Sequence, residues 1–69
     1  MSIVKVIEVI SEGKTVDDAI KSAVAEASKT VVDIKQINVS HIEGIVEKGK
    51  VTKIRVHAKI SFIVEHPKK

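Results

Sequence analysis

From Thr52 to Val64 the chain alternates, with Ile63 the exception. Thr52, Ile54, Val56, Ala58, Ile60, Phe62 and Val64 take one parity, and Lys53, Arg55, His57, Lys59 and Ser61 take the other. Side chains of an extended backbone point to opposite sides in turn, so the pattern predicts a strand with one dry and one wet face. About a dozen residues at roughly 3.3 Å each give a strand of about 40 Å, long for so short a chain. Ile3 to Ile10 predicts a second strand of different character. Ile3, Lys5, Ile7 and Val9 share one side, and Val4, Val6, Glu8 and Ile10 share the other. Both sides are mostly apolar, and a single helix covers only one of them.

A loop is expected at Ser11-Glu12-Gly13-Lys14, followed by a helix from Val16 to about Thr30. Thr15 suits the N-cap, and Asp18 three residues later makes a capping-box-like pair. Asp17 and Asp18 also sit where the helix dipole favours negative charge, which accounts for them without a metal or catalytic role. Val16, Ala19, Ile20, Ala23, Val24, Ala27 and Val31 form one helical stripe, while Lys21, Ser22, Glu26 and Lys29 fall opposite. Three alanines in the stripe let the helix lie close to a sheet but bring little apolar area.

Asp33 to Glu47 predicts the next strand, and Lys48-Gly49 the two-residue turn into the long one. Counting back from Glu47 opposite Lys50 puts Ile37 against Ile60 and Val39 against Ala58. Gln36, Asn38 and Ser40 then meet Ser61, Lys59 and His57. A one-residue slip would set apolar against polar throughout. This register leaves His41 and Glu43 on the dry side, so a bulge near them is expected to re-aim the strand. The fold class is α+β: β-α-β-β, a three-stranded antiparallel sheet wrapped around one helix.

Sixty-nine residues make one domain, taken as residues 1–66 with a tail at 67–69. A core this small needs disulfides, metal or association with other copies. The chain has no Cys, which leaves association and suits the cytoplasm. The net charge of +3 comes from 12 basic and 9 acidic residues. The basic residues are scattered and the one aromatic, Phe62, is on the dry face, so a nucleic-acid module is not expected. No stretch approaches the length of a membrane span, and no apolar run follows a basic start.

The wet face collects Gln36, Asn38, Ser40, Lys53, Arg55, His57 and Lys59, with little acid. Such a face meets water, a symmetry mate, or an anionic or heteroaromatic ligand. His41, His57 and His66 do not make a metal site in this register, because His57 lies on the face opposite His41 and Glu43. The serines lack a nucleophile motif, and no glycine-rich loop precedes the helix. Ser40 and His57 are cross-strand neighbours without a third orienting group. No enzyme activity is expected.

Several segments, in this order and at this total length, resemble the dodecin family. They are Val4-Lys5-Val6-Ile7-Glu8, Asp17-Asp18-Ala19-Ile20, Ala25-Glu26-Ala27-Ser28-Lys29-Thr30, Asp33-Ile34-Lys35 and Arg55-Val56-His57-Ala58-Lys59-Ile60-Ser61-Phe62. The resemblance implies a long curved sheet around the helix and a hollow homododecamer of cubic symmetry. It also implies a storage protein that holds flavins, riboflavin or FMN, in pairs between subunits, with coenzyme A bound by some members. Gln36, Asn38, Arg55 and His57 are the expected ligand-binding residues.

The sequence departs from the family at that pocket. Gln36 stands where flavin binders have a stacking tryptophan, and Arg55 where they have a glutamine that bonds the ring edge. Ser11-Glu12-Gly13 replaces the usual Gly-Thr-Ser, and Ile63 replaces an arginine common in bacterial FMN binders. Loss of the aromatic forfeits about 1 kcal/mol of stacking beyond area burial. Flavin affinity is therefore expected to be weak or absent. The alternative is a shell-forming protein that takes a cation, a coenzyme or another anion.

Overall fold

The computed structural model describes residues 2–65. Strand β1 (Ser2–Gly13), helix α1 (Val16–Ala27), strand β2 (Ile34–Glu47) and strand β3 (Lys50–Glu65) follow one another along the chain. The sheet order is β1-β3-β2, both pairings antiparallel. The strand with the strictest alternation thus sits in the middle. It pairs apolar with apolar on the helix side, as in Ile7 with Ile60 and Val9 with Ala58. His66 and the proposed tail at 67–69 lie outside the described residues.

The expected loop at Ser11 to Gly13 is strand instead. Ser11, Glu12 and Gly13 continue the ladder against Val56, Arg55 and Ile54, because the long partner strand offers hydrogen bonds that outweigh local turn preference. The helix then returns at once over the strand end. A Cβ at Gly13 would stand 2.7 Å from the Ala19 nitrogen, so the chain reversal requires glycine there.

Thr15 caps the helix as expected, its Oγ1 accepting from the Asp18 N–H at 3.0 Å. The helix ends at Ala27, three residues before the expected Thr30. Lys29 and Thr30 donate instead to Glu26 and Ala27 in tightened three-residue turns, both at 3.2 Å. The β-branched run Thr30-Val31-Val32 has poor helix propensity and favours release into an extended chain. Asp33, expected in the strand, adopts φ 59° and turns the chain into β2. At the other hairpin Lys48 and Gly49 have φ 52° and 75°, the two left-handed residues of a tight type I′ turn.

The expected β2–β3 register holds from Gln36 to Val39 and again at Val46 and Glu47, but from His41 to Ile45 it is displaced by one. Ser40 is skipped in β2 and Thr52 in β3. Within the displaced segment His41 faces His57, Ile42 faces Val56 and Glu43 faces Arg55. The expected bulge is therefore present. It corrects the pairing of Ser40 with His57 and moves His41 and Glu43 off the dry side. A further skip at Lys35 sets Ile34 against Phe62.

The buried core is small: Ala19, Ala23 and Ala27 from the helix, Val56, Ala58 and Ile60 from β3. Phe62, expected on the buried face, is only half-buried in a single copy. Val4, Val6 and Ile10 stand exposed on the outer face of β1. Ile42, Val46 and Val51 are also exposed, on the hairpin. The chain exposes 5342 Å², whereas a compact monomer of this size exposes about 4,200 Å². Its radius of gyration is 14.8 Å, against about 11 Å for a compact domain of this length. The excess surface, on the order of 1,100 Å², is comparable with one partner's share of a standard protein interface, about 800 Å².

Candidate functional site

The outer face of the sheet, away from the helix, carries the polar side chains of all three strands. Its charges are paired. Glu12, brought opposite Arg55 by the extension of β1, accepts from Arg55 Nε at 3.0 Å and Nη2 at 2.8 Å on the same oxygen. Its other oxygen accepts from Lys53 Nζ at 3.3 Å. Lys59 Nζ lies 3.9 Å from Glu8. The face expected to be poor in acid is therefore balanced, since β1 adds Glu8 and Glu12 and the displaced register adds Glu43.

One residue pair in from the Arg55 cluster, His57 Nε2 and Glu43 Oε1 are 2.9 Å apart. The His41 ring meets His57 edge-on, with centroids 5.8 Å apart. The expectation that His57 lies opposite His41 and Glu43 is thus overturned, because the bulge at Ser40 inverts the parity of the residues that follow. Ser40 donates from Oγ to the His57 carbonyl oxygen at 3.2 Å. Its hydroxyl bonds backbone, not an imidazole, and is not activated as a nucleophile. No group of three or more His, Cys, Asp or Glu among the described residues is placed to hold a metal ion.

Hydrogen bonding sets the acidity of two carboxylates. The Arg55 guanidinium, with Lys53 next, holds the Glu12 carboxyl below its ordinary value. Glu43 is lowered in the same way, first by its hydrogen bond to His57. Both carboxylates are therefore held in the ionised form at neutral pH.

Two open cavities flank β1. One, of about 550 Å³, is bounded by Glu8, Ile10, His41, His57 and Lys59 among others. The second, of about 760 Å³, runs from Ile10, Glu12 and Arg55 towards Ala23, Glu26 and Thr30 of the helix side. The four expected ligand residues all belong to strands of the outer sheet, but they do not surround one cavity. His57 lines the first and Arg55 the second, while Gln36 and Asn38 stand exposed opposite Ser61 and Lys59. Ser61 is six residues from Arg55 along β3, about 20 Å at strand rise.

Glu8, Glu12 and Glu43 were not among the expected site residues. A signal for the first two was present: Glu8 and Glu12 are four apart, as are Lys59 and Arg55, and antiparallel pairing matches equal spacings. Glu43 had no such signal before the bulge was placed.

The fold is a small β-α-β-β unit with one helix on one face of a three-stranded sheet and the other face uncovered. A family model for Dodecin matches residues 3–65, and the chain belongs to that family. The dodecin of Streptomyces coelicolor is 30% identical, with TM-score 0.89 and 96% of each chain covered. An arginine-to-alanine variant of the Thermus thermophilus dodecin is 24% identical, also at TM-score 0.89, covering 96% of this chain and 100% of that one. The dodecin from Streptomyces davaonensis is 21% identical at TM-score 0.88, covering 94% and 97%. No curated protein matches the chain. Among the described residues no helix is long and apolar enough to cross a membrane.

Proposed function

We propose that the protein is a binding and storage protein that assembles from copies of itself, twelve as the family resemblance implies, and holds a small ligand between subunits. The observation that carries this reading is the uncovered outer face of β1, where Val4, Val6 and Ile10 stand exposed beside polar strands. An apolar strip of this kind beside hydrogen-bonding groups suits the burial of a planar molecule between two copies.

Gln36, Asn38, Arg55 and His57 remain the proposed ligand contacts. Their separation in one copy suits a site to which different copies contribute. Riboflavin or FMN is the first candidate, and coenzyme A the second. No catalysis, nucleic acid or membrane enters the reading, and the cytoplasm is the proposed location.

One observation favours a shell without flavin. The chain has no Trp or Tyr, and its one Phe pairs with Lys5 and Ile34 on the helix side, so the outer face offers no benzenoid or indole ring to stack on a flavin. A cation, a coenzyme or another anion is then the cargo.

Light scattering on protein purified without added cofactor, followed by titration with riboflavin and FMN, tests both readings. A mass of twelve subunits with quenched flavin fluorescence supports storage of flavin. The same mass without quenching supports the alternative, and a single-copy mass ends both.

A further inference from the structure

The outer face holds its strongest cations in a closed arrangement. Both hydrogen bonds from Arg55 converge on one oxygen of Glu12, and Lys53 holds the other oxygen. Glu43 lies directly across the ladder from Arg55. Glu12 thus serves both cations, Glu43 is bonded to His57 beside them, and the Arg55 Nε and Nη2 donors that would grip a phosphate are directed at a side chain of the same subunit. The neighbouring cavities repeat the pattern. Glu12 and Glu26 share the larger one with Arg55, and Glu8 shares the smaller with Lys59.

We propose that Glu12 is a specificity-determining residue: it occupies the Lys53–Arg55 pair as an internal anion, so the site takes an uncharged planar ligand in preference to its phosphorylated form. The inference rests on the reading that a ligand lies on this face between subunits. A phosphate arriving there must displace Glu12 from Arg55 and then share the space with two carboxylates. Like charges facing the phosphate disfavour the phosphorylated ligand relative to the uncharged one. Arg55, which by residue type invites an anion, already directs its Nε and Nη2 donors at Glu12.

The test compares riboflavin with FMN, which differ by one phosphate, on the wild-type assembly and on Glu12→Gln. The glutamine keeps the side-chain length and removes the charge. Wild type is expected to quench riboflavin at concentrations about tenfold lower than FMN, and Glu12→Gln to tighten FMN by about tenfold while riboflavin moves little. A second measurement needs no flavin: titration with inorganic phosphate followed by phosphorus NMR. Wild type should leave the phosphate line unchanged, Glu12→Gln should broaden it, and Glu12→Gln with Arg55→Ala should restore it.

Equal or tighter FMN binding by the wild type overturns the proposal, as does a Glu12→Gln protein that gains neither FMN nor phosphate. If neither protein binds flavin but Glu12→Gln gains phosphate, the internal-anion role stands and the flavin reading fails.

Discussion

His57 and Glu43, fourteen positions apart in the chain, meet at 2.9 Å on the outer face. They share that face only because Ser40 is left out of the β2–β3 ladder. A regular ladder would hold the carboxylate on the helix side and leave the imidazole alone.

This contact predicts a pH dependence. Hydrogen bonding to His57 lowers the folded Glu43 pKa below its ordinary 4.5. A depressed carboxylate contributes stability that is complete above the unfolded value and is lost as pH falls through the folded one. Thermal unfolding of the wild type should therefore decline on acidification below about pH 4.5, with Glu12 acting in the same direction. Glu43→Gln should show a shallower decline in the same scan. An identical pH profile for the two proteins would count against the contact.

Ile60 is fully buried against Ala23, Ala27 and their neighbours. Ile60→Ala should cost about 2–5 kcal/mol per subunit, the range for emptying a packed aliphatic site. Denaturant unfolding at one fixed protein concentration measures it. A loss below about 1 kcal/mol would mean that the site collapses or lies outside the core.

At Gly13 the return of the helix leaves no room for a methyl group, with Ala19 backbone 2.7 Å from where it would sit. Gly13→Ala should destabilise by about 1–3 kcal/mol, as overpacking of a tight site does. A variant with wild-type melting behaviour would show that the strand end and helix start can separate freely.

Val6 is half-exposed on the outer face of β1, across the ladder from Ser61. If that face is the contact between copies, Val6→Lys places an unpaired charge in it and should reduce the assembly to single subunits or disordered chain. Light scattering reads the mass directly. Full-size particles from this variant would remove the outer face of β1 from the interface.

Much of the subunit was legible in the residue pattern. The alternation of β3, the Thr15 cap, the alanine stripe and the Lys48-Gly49 turn are local properties, each governed by residues a few positions apart. The site was less legible. Parity predicts that Gln36, Asn38, Arg55 and His57 share the outer sheet face, as they do, but it does not predict the partners that bond Arg55 and His57. Glu12 was expected in a loop because Ser-Glu-Gly-Lys reads as one. It is held extended by Arg55 and its neighbours on a strand more than forty residues away.

Periodicity along the chain established which faces are oily, where the elements turn, and that the interior of one copy is small. Those properties follow from side-chain parity and composition, which need no knowledge of distant contacts. Folding in three dimensions decided the rest: which strand sits centrally, where the ladder skips a residue, and which acid meets which base. A one-residue skip leaves almost no trace in composition, yet it inverts the facing of every residue up to the next one. The pairing of charges on the outer sheet therefore belongs to tertiary structure.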